Sequence, residues 1–302
     1  MKNKESKLTE NTKQALFVPG ATGSKALHDI TVDLGALKKP DIKRFTKKNE
    51  IRPFEDVSQL EFFSEKNDAS LIVFSSSSKK RKNNLTFVRT FGYKIYDMIE
   101  LLVLDDFKLL QDFRKTTFAI GLKPMFTFNG GVFESHPVYR HIKSLFLDFF
   151  RGETTDLQDV AGLQHVISIT AGDFEEGEPL PQVFFRVYTL KTFKSNQKVP
   201  RVELNEIGPR LDFAVGRYES PSPEMEKEAL KKPKQLEAKT KKNVETDFLG
   251  DKIGRVHVGK QDLNLMQTRK MKGLKKRYDQ VDEDFDDQVY GEEEPASKKL
   301  KQ

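Results

Sequence analysis

What most constrains this chain is an order of patterns that occurs twice. An apolar run, Ala15 to Val18, meets a glycine turn at Gly20-Ala-Thr-Gly23. A helical pattern follows from Ser24 toward Lys39, with Leu27, Ile30, Leu34 and Leu37 on one face, Ser24 or Thr22 placed to cap it and Pro40 beyond its end. Past a basic connection and a short helical piece around Asp56 to Phe63, three strand patterns occupy Leu71 to Phe74, Leu85 to Phe91 and Met98 to Leu104. A helical segment, Phe107 to Phe113, closes this half. The second half begins with a strand, Pro124 to Phe128, a turn at Gly130-Gly131, and a helix from Pro137 whose apolar face is Val138, Ile142, Leu145, Phe146 and Phe149. Strand patterns at His165 to Thr170, Val183 to Leu190 and Arg201 to Ile207 complete it. Strand, glycine turn, helix and three strands, taken twice, predict two tandem duplicated α/β lobes with mixed sheets, spanning 13–122 and 123–219 after a flexible N-terminus, 1–12.

The repeat ends near Ser220, where Pro, Glu and Lys follow in quick succession, and residues 220–302 read as a disordered or partly helical charged tail. Lys227 to Arg277 carries sixteen Lys/Arg against six Asp/Glu, whereas 278–296 is acidic and has no Lys or Arg. Such blocks are solvated interaction segments, and the sign of the first suits RNA. The mean hydropathy of -0.62 is low for a wholly folded chain, so the core must be drawn from the repeat, where most of the 24 Phe lie.

With no cysteine, disulfides, thiolate nucleophiles and Cys-containing zinc sites are excluded. Met1 to Lys13 lacks the apolar stretch of a signal peptide, and the longest apolar run, Ile99 to Leu104 with a Glu inside it, is too short to span a bilayer. A soluble intracellular chain without a membrane partner is expected.

The opening turn invites a nucleotide-binding reading, because glycines before a helix let a phosphate approach its N-terminus. Only two residues separate Gly20 from Gly23, and Ser24-Lys25 has the wrong order for a P-loop. Gly20, Gly23 and Ala26 match G-x-x-G-x-x-A, yet the next strand, Leu71 to Phe74, ends in four serines rather than an acid. His28, His136, His141, His165 and His257 are scattered without metal-ligand spacing, and Asp105-Asp106 and Glu175-Glu176 read as solvated turn acids. No catalytic residue, metal site or cofactor is assigned.

The basic features differ in kind because they recur. Lys79, Lys80, Arg81 and Lys82 sit at the tip of a strand-to-strand loop; Lys38, Lys39, Lys43, Arg44, Lys47 and Lys48 line the connection after the first helix; Lys241, Lys242, Arg269, Lys270, Lys272, Lys275, Lys276 and Arg277 lie in the tail. Each alone suits a solvated surface, and KKRK also suits a nuclear-localisation patch. Together they favour RNA contact, made mainly to phosphates.

One stretch is more specific. EIGPRLDFAVGR, Glu206 to Arg217, breaks at Gly208-Pro209 and resumes at Leu211, with Arg210 and Asp212 on one side of an extended chain, positioned to pair. With ALFVPG, LHDITVDLGALKKPDIKRF, SSKKRKNNLTFVRTFGYKIYDMIEL, GLKPMFTFNGG and GEPLPQVFFRVY, it closely resembles the Brix-domain family of ribosome assembly factors, over about Lys13 to Tyr218 and the PSPEM and KKPKQ segments. Gly208, Pro209, Arg210, Asp212, Gly216 and Arg217 carry the family motif; the turn ATGSK departs from the family's variants. The resemblance implies a two-lobed Brix-type fold and a non-catalytic factor in nucleolar assembly of the large (60S) subunit. It also implies partners: a regulator-of-ribosome-synthesis protein, 5S rRNA and the ribosomal proteins of its particle, and the large-subunit precursor rRNA of the pre-60S particle. A nucleotide-dependent enzyme using the Gly20–Gly23 turn and a purely protein-binding adaptor remain as other readings.

Overall fold

The computed structural model describes residues 11–113, 119–152, 162–174, 177, 179–194, 199–233, 236, 242–255 and 258–259. Two compact units, Met1–Glu237 and Ala238–Gln302, divide the chain. In the first, β1 (Ala15–Pro19), α1 (Lys25–Lys38) and β2 (Ile42–Arg44) are followed by α2 (Ser58–Asn67), β3 (Leu71–Ser76), β4 (Asn84–Phe91) and β5 (Lys94–Val103). Then come β6 (Met125–Asn129), a short α3 (Val132–Ser135), α4 (Pro137–Phe150), β7 (His165–Ala171), β8 (Val183–Phe193), β9 (Arg201–Glu206), β10 (Leu211–Glu219) and α5 (Pro223–Ala229). In the second unit the described residues include a hairpin of β11 (Val244–Thr246) and β12 (Lys252–Gly254).

The mixed α/β fold expected from the repeated order is present. One sheet of ten strands runs β2-β1-β3-β4-β5-β10-β8-β7-β6, with β9 paired to β8. Each half opens with a parallel pair, β1 with β3 and β6 with β7, and continues antiparallel through β4 and β8. The glycine turns are equivalent. A Cβ on Gly20 would lie 2.5 Å from the Ser75 carbonyl oxygen, and one on Gly130 2.4 Å from that of Ala171. Glycine is required at both because the chain leaves its strand directly against the end of the parallel neighbour.

The halves meet through β5 and β10, which pair antiparallel, so they share one sheet and one core. β10 thus takes in the second half the place β5 takes in the first. The third strand read from sequence, β9, instead extends the far end of β8, along the same edge that β10 uses at Val183 to Phe185.

α1 and α4 lie on one face, and their predicted apolar residues are buried there. Ser24 caps α1 by accepting from the Leu27 amide at 3.2 Å, and His136 with Pro137 opens α4. Phe146 is the hub. Its ring lies 5.8 Å from Phe87 on β4, 5.6 Å from Phe185 on β8 and 6.3 Å from Phe213 on β10, so one side chain joins both halves. The opposite face is covered in the first half by α2 and the segment before it, over Leu16, Val18, Ile72, Phe74, Val88 and Met98; no residue of β6, β7 or β8 belongs to that cluster.

Two local expectations are corrected. Phe107 to Phe113 is not helical beyond one 3-10 turn at Leu110–Asp112, because Lys108 and Arg210 exchange both backbone hydrogen bonds at 2.9 Å and draw the segment into the sheet. The basic connection after α1 contains β2, whose parallel pairing with β1 its charged composition hides.

Candidate nucleic-acid interface

β3 and β4 form a hairpin whose tip carries the KKRK run. The tip is built rather than loose. The Ser78 amide donates to the Arg81 carbonyl at 2.9 Å, the Arg81 amide to Ser78 Oγ at 3.1 Å, and the Asn83 amide to Ser77 Oγ at 3.4 Å. Two further bonds stitch the tip to the opening turn: Ser24 Oγ to Asn83 Oδ1 at 3.0 Å and the Ser77 amide to Thr22 Oγ1 at 3.3 Å. Lys79, Lys80 and Lys82 are exposed, whereas Arg81 is half-buried.

Arg81 turns back onto β5. Its Nε lies 3.4 Å from Glu100 Oε2, and Glu100 is only 2% exposed. Arg217 on β10 reaches the same carboxylate through Nη2 at 2.8 Å and Nε at 3.0 Å, and Asn84 Nδ2 donates to Oε1 at 3.1 Å. Burial alone would raise the Glu100 carboxyl, but hydrogen bonds and charge from Arg217, helped by Arg81, outweigh it and hold the group below its ordinary range.

Local backbone geometry makes this possible. Val215 pairs with Leu101 and Tyr218 with Ile99, so Gly216 and Arg217 form a bulge opposite Glu100. A Cβ on Gly216 would fall 2.9 Å from the Glu100 Cβ, so only glycine allows that approach. The bulge lays the exposed Arg217 over Glu100, where its guanidinium also lies 4.2 Å from the Phe54 ring centroid. The end of the family motif is therefore a packing and charge device. In the sequence Gly216 and Arg217 stand out through the motif, and Glu100 only as a carboxylate inside the apolar run Ile99 to Leu104.

The rest of the motif differs from the sequence expectation. Arg210 and Asp212 do not pair. Arg210 Nε bonds Glu206 at 2.9 Å, while Asp212 meets Arg186 Nη2 of β8 at 2.6 Å. Arg210 sits in the bridge to Lys108, and Asp212 has already entered the β10–β8 register opposite Phe184, so each finds a partner on a different segment. Gly208, with φ 71°, precedes a cis Pro209 and lies against the Phe113 ring.

The cations after α1 divide. Lys47 and Lys48 are exposed, Lys43 Nζ donates to the Asn67 carbonyl at 2.6 Å, and Arg44 is half-buried near Thr31 and the Phe17 ring. Lys38 is buried, and desolvation lowers its pKa. The tail cations Lys241, Arg269, Lys270, Lys272, Lys275, Lys276 and Arg277, with the acidic block and His257, lie outside the described residues; Lys242 is exposed.

Part of the opening turn is committed within the protein: Gly20 N–H donates to Ser75, Ala21 N–H to Asn49 and Gly23 N–H to Gly20. Among the described residues no cluster of three metal-ligating side chains occurs, and no helix is long and apolar enough to cross a membrane. His165, within β7, is buried and His141, beside Asp97, is largely so; desolvation lowers the pKa of each, that of His165 to about 4.

Comparison with known proteins agrees with the motif. The Brix domain profile matches residues 20–217. Ribosome biogenesis protein RPF2 of Saccharomyces cerevisiae is 68% identical over 95% of this chain and 87% of its own length. The ribosome production factor 2 homolog of Schizosaccharomyces pombe is 50% identical over 98% and 94%. That of Chaetomium thermophilum is 46% identical over 94% and 89%. With the profile spanning the shared sheet from the first glycine turn to the Arg217 bulge, the chain belongs to the Brix-domain family.

Proposed function

We propose that this protein is a non-catalytic ribosome biogenesis factor that holds rRNA phosphates with the tip of the β3–β4 hairpin. The carrying observation is the tip itself: three exposed lysines on a loop fixed by side-chain bonds to the opening turn. A fixed cationic loop loses less freedom on binding than a loose one, and lysine contacts to phosphate release counterions. Lys47 and Lys48 add exposed charge, and the basic segment 227–277 adds more. In this reading the RNA is 5S rRNA with adjoining large-subunit precursor rRNA, and the setting is the nucleolar pre-60S particle. A regulator-of-ribosome-synthesis protein is the partner with which the 5S particle and its ribosomal proteins are recruited. The names of the relatives support ribosome production; the hairpin supports the RNA contact.

The test compares the full chain with a Lys79→Ala, Lys80→Ala, Lys82→Ala variant for binding to a 5S rRNA transcript over a salt series. The variant should bind more weakly and lose about one unit of salt slope for each lysine that contacts phosphate. Unchanged affinity and slope would refute the hairpin contact and favour a protein-binding adaptor. That second reading is favoured by one observation: Phe184 and Tyr188 are only half-buried on a sheet face that no described helix covers.

A further inference from the structure

The geometry points to Glu100 as a positioning residue for the lysine-bearing hairpin: through Arg81 it fixes the direction of the tip, while Arg217 locks the carboxylate in place from the other half of the sheet. This rests on the proposed RNA contact but concerns a residue that touches no RNA. Three features carry it. The carboxylate is buried in the sheet, so it offers a rigid anchor and not a mobile surface partner. It is held by Asn84, the residue at which β4 leaves the tip, and by two side-chain bonds from Arg217, so its orientation does not depend on Arg81 alone. Arg81 lies between Lys80 and Lys82, and while it is half-buried against Glu100 both neighbours are exposed.

Two consequences separate this from simple charge arithmetic. A Glu100→Gln variant is one unit more positive, and electrostatics alone would make it bind RNA more tightly. If the carboxylate positions the tip, the same variant binds more weakly, because ordering of Arg81 and the loop must then be supplied on binding. An immobilised side chain costs about 0.5–1.5 kcal/mol, equivalent to roughly two- to tenfold in Kd. Arg81→Lys keeps the net charge and removes the forked donor, and is expected to weaken binding by a similar factor with little change in salt slope.

The experiment uses the full chain and a 5S rRNA transcript, with the lysine triple-alanine variant beside it. The chain has no cysteine, so a spin label on Lys80→Cys reports the tip alone. Glu100→Gln and Arg81→Lys should each raise the mobility of the label and raise Kd in the unlabelled protein. Unchanged mobility, or raised mobility with unchanged or tighter binding, overturns the positioning role. Should Glu100→Gln fail to fold, the surface variant Arg81→Lys decides alone. If the triple-alanine variant binds RNA normally, the RNA reading fails, and label mobility still shows whether Glu100 orders the tip.

Discussion

The two halves of the sheet repeat one strand order and are dressed differently. In the first half both faces are covered: α1 and α4 pack on one, and α2 with the preceding segment packs on the other around Leu60, Ile72 and Phe74. In the second half α4 packs on one face; the other presents Ser168, Thr170, Phe184, Arg186 and Tyr188 half-buried and Met125, Thr127 and Asn129 exposed, with Val166 buried among them. The difference teaches that the duplicated order specifies the sheet and its shared core, whereas the insertion between β1 and β3, which supplies β2 and α2, is what makes one half doubly covered. In the second half that face mixes polar with apolar residues, Met125, Phe184 and Tyr188 among them.

That contrast can be broken at the joint first. Phe146→Ala is expected to cost about 3–5 kcal/mol, because the ring is fully buried among aromatic partners from β4, β8 and β10. Both halves should lose protection from hydrogen exchange together; protection lost in the second half alone would mean that the halves fold as separate cores.

The faces can be compared directly. Phe74→Ala on the covered face of the first half is expected to cost about 3–5 kcal/mol in urea unfolding, and Phe184→Ala on the open face of the second about 1 kcal/mol. Equal costs would show that something covers Phe184 as fully as α2 covers Phe74.

The covered face of the second half can be probed by pH. Burial depresses the His165 pKa to about 4, below the unfolded value near 6.5, so between those limits the unfolded chain binds more protons and stability rises with pH. The contribution of His165 should make the protein roughly 2 kcal/mol less stable at pH 5 than at pH 7. His141, also depressed by burial, acts in the same sense, so the comparison is with His165→Gln, which should lose that part of the slope. An unaltered slope would place His165 in contact with solvent.

Much of this was legible in the sequence because it is local. Strand and helix patterns fell within a few residues of β1, α1, β3, β4, β6, α4, β7 and β8, and the apolar faces of both helices were those buried. β2 was missed because its three residues, Ile42, Lys43 and Arg44, carry two charges and owe their extended form to pairing with β1. The 3-10 turn near Leu110 was overread as a helix for a related reason: its neighbour Lys108 is held by Arg210, about a hundred positions away.

The candidate site was half legible. The run Lys79 to Lys82 announced itself by composition, and Gly216-Arg217 by its place in the motif. That Arg81 and Arg217 converge on Glu100 could not be read, since the three residues lie on a hairpin tip and two strands from different halves, and nothing in their spacing links them.

By itself the sequence determined the repeated strand–turn–helix order, the Phe-rich core, the two glycines that end β1 and β6, and the positions of charge along the chain. Each follows from periodicity or from a backbone that admits only one residue type. Tertiary structure alone decided which cations face solvent and which are committed to a buried carboxylate, and that the two halves share one sheet through β10. Those outcomes depend on which strand edges meet, and edge pairing is set by the whole sheet and its shared core on α4 rather than by any short stretch of residues.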